Sequence, residues 1–150
     1  MTNYLELLEK KRTVLLKETA HLTTDQYNLV PLGFNNNIIW NMGHSLVVSE
    51  SLLYSNAPFK GPLHEFDIEG FQKGTKPELA INGHGISLIR KALSDTGPLF
   101  KKSFDDFLSA NVQDLQDPTG SGAVSEKYLQ FMLFHEDMHL GTIQRLLKYV

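Results

Sequence analysis

The sequence predicts an all-α protein, an antiparallel four-helix bundle that forms a single domain over residues 1–150. Three observations lead to this prediction. Four long segments repeat apolar residues at helical spacing, no segment has a convincing strand pattern, and 150 residues is the usual length of one domain. A bundle is the simplest way to bury four apolar stripes together. No internal repeat or linker divides the chain.

The first two predicted helices carry apolar stripes that would face the bundle interior. The first spans about residues 3–22, after which residues 23–26 restart a short turn before Pro31 breaks the chain. The second follows the asparagine run 35–37, since asparagine caps free N–H groups, and continues to about residue 56. The inward stripes are Tyr4, Leu8, Leu15 and Leu22 in the first helix, and Trp40, His44, Val47, Val48, Ser51 and Leu52 in the second.

A long segment without helical periodicity separates the second and third predicted helices. Residues 57–85 are rich in glycine and proline, and we expect either a functional cover over one end of the bundle or a short hidden element. The third helix spans about residues 86–110, interrupted and kinked at Gly97–Pro98, and the fourth runs from near Ser125 to the end. Their inward stripes are Ile86, Ile89, Leu93, Phe100, Phe104 and Phe107, and Tyr128, Phe131, Met132, His135, His139, Thr142 and Leu146.

The composition excludes several kinds of site and partner. Without cysteine the chain has no disulfide, thiolate nucleophile, iron–sulfur ligand or cysteine-ligated zinc site. A net charge of −3 and the lack of a basic block argue against nucleic-acid binding. No apolar run approaches the roughly 20 residues that span a bilayer. The N-terminus lacks the pattern of a signal peptide, so we expect a cytoplasmic protein that binds no membrane.

The pattern that carries chemistry is a pair of histidines near the C-terminus. His135 and His139 are four residues apart, so on a helix they share one face and can bind one metal ion together. His44 is the best third ligand, provided that the second and fourth helices are neighbours. Three histidines favour a divalent transition metal, zinc or nickel first and iron or manganese as further possibilities. In the competing interpretation all three are core residues, each with its own buried hydrogen-bond partner.

The same segment spells H-E-x-x-H, the signature of zinc metalloproteases, but the rest of the chain disagrees with that function. Those enzymes usually take a third ligand downstream, and residues 140–150 contain no His, Asp or Glu. Glu136 occupies the position of the protease general base. It is a candidate base at the metal, a support for the ligands, or a solvated or salt-bridged surface residue, and we favour the last two interpretations.

Three stretches of the chain are similar to motifs of one family. Residues 22–27 with Pro31 resemble its first inter-helix segment, and residues 37–44 resemble its second-helix motif. Residues 135–143 are similar to its H-x-x-x-H-x-G-Q-I signature, with Thr142 in place of the usual glutamine. By these motifs the chain is identified as a member of the DinB/YfiT-like superfamily. The resemblance implies a four-helix bundle, a divalent metal held by the three histidines, and often a homodimer.

The resemblance also implies two classes of function. Relatives include transferases and isomerases that use low-molecular-weight thiols such as bacillithiol or mycothiol, and proteins described as metal-dependent hydrolases. We therefore expect a metal-dependent enzyme whose ion activates water or such a thiol for attack on a small electrophilic substrate. The alternative is a non-catalytic dimeric bundle with a structural or vestigial metal. A closed fourth ligand, or a cavity filled by Phe59, Phe66 or Phe71, would favour that alternative.

Overall fold

The computed structural model describes residues 2–54, 57, 69–110 and 126–150. All regular secondary structure in these residues is helical, without a strand, which confirms the predicted fold class. Within them, no helix is both long and apolar enough to cross a membrane. The elements are α1 (Thr2–Glu18), α2 (Thr24–Asn28), α3 (Ile38–Tyr54), a 3-10 turn (Glu69–Phe71), α4 (Gly83–Ala110) and α5 (Glu126–Leu146).

The four long helices form a closed ring of neighbours. α3 packs against both α4 and α5, and α1 packs against the same two helices. Side chains near the start of α1 and α5 meet, because the Tyr4 hydroxyl donates to the Glu126 carboxylate at 2.7 Å. Side chains near the two ends also meet, because Gln144 donates to Glu18 at 3.2 Å. α1 and α5 therefore run in the same direction.

The helix α3 runs opposite to one neighbour and parallel to the other. Ser45 contacts Glu136 of α5, whereas Asn41, one turn earlier on α3, contacts His139, one turn later on α5. α3 and α5 are therefore antiparallel. The contacts of α3 with α4 advance along both helices together: Glu50 contacts Thr96, and Tyr54 contacts Phe100.

The resulting topology is up-down-down-up, so the prediction that the bundle is antiparallel throughout is wrong. Parallel neighbours such as α3 and α4 cannot be joined by a short turn, because the chain must return along the bundle before the second helix begins. The long segment predicted at 57–85 makes this return. It contains the 3-10 turn Glu69–Phe71, which confirms the expected short element, while Phe59 and Phe66 lie outside the described residues.

Local capping at the first helices follows the predicted pattern. The Asn37 side-chain oxygen accepts a hydrogen bond from the N–H of Trp40 at 2.8 Å, which satisfies a free donor at the start of α3. The turn predicted at 23–26 is the beginning of α2, where Thr23 and Gln26 form a reciprocal capping box. α1 ends at Glu18, earlier than predicted.

The third and fourth predicted helices correspond to α4 and α5 with corrected bounds. α4 begins at Gly83, before the predicted residue 86, and continues through Pro98, so the predicted interruption is wrong. Pro98 is exposed, so water can bind the carbonyl that loses its N–H partner. α5 begins at Glu126. The predicted start at Ser125 and the side chain of Phe107 lie outside the described residues.

The buried faces of α3 and α5 differ from the prediction at their margins. Ser51 is exposed, and Tyr128 and Phe131 are 42% and 48% exposed rather than buried. Successive residues are about 100° apart around a helix. A residue next to a core position in the sequence therefore points away from the core face. The buried residues of α5 are Leu129, Met132, His135, Glu136, His139, Ile143 and Leu146.

Two apolar clusters fill the bundle, and a polar layer lies between them. On α1, Arg12 separates Leu8 of one cluster from Leu15 of the other. On α5, both histidines lie between Met132 of the first and Ile143 of the second. Of the polar side chains in this layer, sequence patterning placed only the three histidines in the core. The buried side chains that meet there include Arg12, Ser45, Ser49, Glu136 and the three histidines.

Candidate metal centre

The three histidines predicted as ligands come together between α3 and α5. Ligand nitrogens of His44, His135 and His139 all lie within 4.8 Å of one another, and all three residues are buried. α5 places His135 and His139 one turn apart on one face. α3 packs directly on that face, so the condition for a shared site is met.

His44 is held by a backbone carbonyl outside the helices. Its Nδ1 lies 2.6 Å from the carbonyl oxygen of Phe71. A carbonyl only accepts, so Nδ1 carries the proton and Nε2 keeps the lone pair that can bind a metal. The indole of Trp40 stacks on the imidazole, with ring centroids 4.8 Å apart and planes at 8°. Together these contacts fix both the tautomer and the plane of His44.

Glycine at position 43 allows the Phe71 segment to approach α3. A Cβ atom at Gly43 would lie 2.3 Å from Cδ1 of Phe71, well inside van der Waals contact. The Phe71 ring is buried against this position. The Trp40 indole N–H donates to the Gly70 carbonyl at 3.0 Å and secures the same segment. The 3-10 turn is therefore seated where its carbonyl reaches His44.

His139 is held by a side chain of α3. Its Nδ1 lies 2.8 Å from the side-chain oxygen of Asn41. The Asn41 amide nitrogen donates to Asn37 O at 2.7 Å and to Asn36 Oδ1 at 3.0 Å, which sets the amide orientation. The oxygen therefore faces the ring, Nδ1 is the donor, and Nε2 of His139 is left as an acceptor.

The Nε2 atom of His139 shows that these residues fit a metal ion. It is buried and has no hydrogen-bond partner among the described residues. Buried polar atoms are nearly always satisfied, so one without a partner beside two other imidazoles indicates a group that the protein itself does not supply. The interpretation of the histidines as satisfied core residues fails at this atom. Neutral imidazole nitrogens are ligands that zinc, nickel and iron accept.

Electrostatics keep the imidazoles of His135 and His139 in the neutral form that binds metals. Burial, followed by the nearby His135 and His44, lowers the pKa of His139 to about 3. Burial and His44 also lower the pKa of His135, against an opposing effect of Glu136. Desolvation disfavours a charged imidazole, and the neighbouring rings add repulsion. At neutral pH these two rings therefore carry free lone pairs.

Glu136 lies behind the histidines and not on the surface. It is 3% exposed, so the solvated-surface interpretation is wrong. Its Oε1 accepts from Nε of Arg12 at 3.1 Å, and its Oε2 accepts from the Ser45 hydroxyl at 2.5 Å. The helical rotation of about 100° from His135 turns the carboxylate towards α1 and α3. A role as general base stays a prediction, which these contacts disfavour.

The family model of the DinB superfamily matches residues 7–143 of the chain. The chain belongs to the DinB superfamily. This confirms the family resemblance seen in the motifs, and the matched range contains all three histidines. Neither a curated protein nor a solved structure matches the chain.

Sequence reasoning missed the residues that support the ligands of this DinB-superfamily protein. Asn41 lies one turn before His44 on the same helix, and no pattern in the sequence predicts its role. Arg12 has no motif either, although it occupies an inward position between the apolar residues of α1, which signals a buried partner. The carbonyl of Phe71 acts through the backbone and has no side-chain signature.

A cavity of about 530 Å³ is lined by Trp40 and Phe71, the two aromatic residues next to His44. It is bounded by the beginning of α3 and by parts of residues 69–81. The three histidines do not line it. Trp40 and Phe71 therefore contact His44 and also line the cavity.

Proposed function

We propose that this DinB-superfamily protein is a metal-dependent enzyme in which His44, His135 and His139 hold one divalent ion. The observation that carries the proposal is the buried Nε2 of His139, which lacks a partner and lies among imidazole nitrogens within 4.8 Å. Three protein ligands are typical of catalytic zinc sites, which keep one position open, whereas structural sites usually have four. Among the described residues, the cluster has three members.

The chain's own residues orient the ligands. The Phe71 carbonyl and the Asn41 amide oxygen hold the Nδ1–H groups of His44 and His139, so that both Nε2 atoms are free. Such partners raise ligand basicity and prevent ring rotation. Trp40 excludes water from one face of His44 by stacking on it. A divalent ion bound here supplies Lewis acidity, which activates water or a thiol near neutral pH.

The chemistry available to such a site leaves two candidate reaction classes. The chain has no cysteine, so a thiol nucleophile has to be a small external molecule such as a low-molecular-weight thiol. The two candidate reactions are hydrolysis of a small electrophile and transfer of a thiol to one. We propose zinc or nickel as the ion, with iron or manganese as alternatives. The homodimer and the cytoplasmic location stay predictions.

One observation favours the non-catalytic alternative. Phe71 is buried against α3 beside His44, so part of the space next to one ligand is filled by the protein's own ring. If the ring closes the remaining approach to the metal, the ion is structural. Turnover decides between the two functions.

Metal content tests the site. Untagged protein purified without chelators is analysed by elemental mass spectrometry. We expect about one equivalent of transition metal in the wild type and in His84→Ala, which removes an exposed histidine at the start of α4. The metal content as purified falls well below one equivalent in His44→Ala and His135→Ala, because two imidazoles bind an ion more weakly than three. No metal in the wild type, even after reloading with zinc, nickel, manganese and iron, contradicts the proposal.

Turnover tests the enzyme. The loaded wild type is assayed with an activated ester, and separately with an electrophile and a series of small thiols. We expect turnover in one of the two assays, abolished in His135→Ala and retained in His84→Ala. A loaded protein that is inert in both assays and holds its metal against strong chelators supports the structural role instead.

A further inference from the structure

A hydrogen bond joins α3 and α5 one residue away from two of the ligands. Ser45 directly follows His44, and Glu136 directly follows His135. The Ser45 hydroxyl donates to Oε2 of Glu136 at 2.5 Å. Both residues are buried, so the bond forms without competing water. The two helices that bear the metal ligands are thus tied together directly beside those ligands.

Arg12 connects this bond to the other helices of the bundle. From α1, its Nε donates to Oε1 of Glu136 at 3.1 Å, and its Nη2 donates to the Ser49 hydroxyl of α3 at 2.5 Å. Its Nη1 lies 3.4 Å from the carbonyl oxygen of Leu93 on α4. Arg12 is 2% exposed, and its guanidinium balances the buried carboxylate. One cation of α1 therefore contacts the three other long helices at the level of the site.

A buried charge pair is a poor device for stability alone. Desolvation of both ions offsets most of their attraction, and apolar residues of similar volume often serve equally well. Apolar contacts, however, tolerate small slips between helices, because they are not directional. A hydrogen bond is directional and short. A slip of one residue would move a ligand by about 1.5 Å along the helix, whereas metal–ligand distances tolerate only about 0.2 Å.

We propose that Arg12, Ser45 and Glu136 form a register clamp that positions His44 of α3 against His135 and His139 of α5. The clamp side chains bond to one another and not to the histidines, so we assign them as positioning residues. The inference rests on the proposed metal site and adds to it the part of the chain that sets its geometry. It also gives Glu136 a role other than that of a base.

The chain contains a matched control for the clamp. Thr96 of α4 donates its hydroxyl to Oε1 of Glu50 on α3 at 3.1 Å. This is a second buried contact between a hydroxyl and a carboxylate, and it involves the same helix α3. It joins α3 to α4, however, and α4 bears no ligand. Ser45→Ala and Thr96→Val each remove one buried hydroxyl, and only the first removes a bond between the ligand-bearing helices.

Cobalt(II) titration tests the clamp. The metal-free wild type, Ser45→Ala and Thr96→Val are titrated with Co²⁺ against a competing chelator, and the visible d–d absorption reports coordination geometry. Ser45→Ala leaves the Arg12–Glu136 pair intact, so the fold survives, which circular dichroism verifies. We expect it to bind Co²⁺ about tenfold or more weakly, with a shifted d–d band, since outer contacts at metal sites have effects of this size.

We expect Thr96→Val to keep both the affinity and the band of the wild type, whatever its thermal stability. An unchanged affinity and band in Ser45→Ala overturn the clamp while leaving the metal site intact. Equal losses in Ser45→Ala and Thr96→Val also overturn it, because they indicate general loosening. A wild type that binds no Co²⁺ overturns the metal site and the clamp together.

Discussion

Two polar groups lie side by side in the middle of the bundle, and they differ in whether all of their polar atoms have hydrogen-bond partners. In the group formed by Arg12, Glu136, Ser45 and Ser49, the side-chain polar atoms find partners within the protein. In the histidine cluster, Nε2 of His139 has no partner among the described residues. Both groups are buried at the same α3–α5 interface, so burial does not distinguish them. The presence or absence of hydrogen-bond partners therefore distinguishes the satisfied network from the candidate ligand site.

The largest expected effect is on the structural network. Arg12→Met leaves the Glu136 carboxylate buried without its cation, and breaking such a pair costs roughly 3–5 kcal/mol of unfolding free energy. His135→Leu in the metal-free protein conserves volume and costs under about 1.5 kcal/mol. Urea unfolding measures both. The double variant Arg12→Met, Glu136→Leu removes both charges and recovers most of the loss. Equal losses of unfolding free energy in Arg12→Met and His135→Leu would show that the two polar groups do not differ in their contribution to stability.

The next effect is the response to metal. A ligand that binds only the folded state stabilises that state by about 2.7 kcal/mol when the free ligand concentration is about 100 times the dissociation constant. We expect zinc to raise the unfolding free energy of the wild type by this order and that of His135→Leu by much less. Arg12→Met changes the starting stability without abolishing this response. A rise of the same size in His135→Leu would show that zinc acts elsewhere.

A third effect separates two helical glycines. Gly43→Ala forces a Cβ against the Phe71 ring, at 2.3 Å in the present geometry, and displaces the carbonyl that holds His44. We expect zinc affinity to fall roughly tenfold. Gly141→Ala is the matched control, because a Cβ there meets nothing within 4 Å. It should leave zinc affinity unchanged and stabilise α5 by about 1 kcal/mol. Competition titrations with a zinc indicator measure both affinities.

The smallest expected effect is the pH dependence of the metal-free protein between pH 7 and 6. The pKa of His139 is lowered from the ordinary 6.5 to about 3, chiefly by burial. Below pH 6.5 the unfolded chain takes up a proton that the folded chain does not. The stability contributed by neutral His139 is therefore full above pH 6.5 and is lost progressively as the pH falls towards 3. Between pH 7 and 6, the urea midpoint should therefore fall less steeply in His139→Leu than in the wild type. Equal slopes in the two proteins would contradict the lowered pKa of His139.

The site residues that sequence could predict are those whose relation is local or matches a known motif. His135 and His139 share a face because of helical periodicity alone, and His44 entered through its inward position and the resemblance of residues 37–44. Asn41 and Arg12 depend on contacts between distant parts of the chain, such as Arg12 with Glu136 across 124 positions. No local pattern encodes such a pairing, although an arginine on an apolar stripe signals that one exists.

The fold class was predictable from periodicity, but the helix directions were not. Apolar stripes specify which face of a helix is buried and carry no information on which end points up. The length of the segment after α3 carried the missing signal, because only parallel neighbours need so long a return. The surface interpretation of Glu136, one of the two favoured, is wrong for a similar reason. Its position at the margin of the histidine face suited either water or a neighbouring helix, and only the position of Arg12 decided between them.

The central claim is that the three histidines bind one metal ion together. X-ray absorption spectroscopy of the zinc-loaded wild type counts imidazole ligands directly. We predict three imidazole nitrogens at about 2.0–2.1 Å, falling to two in His44→Ala. One imidazole or none around the zinc, or a spectrum unchanged by His44→Ala, would contradict the claim.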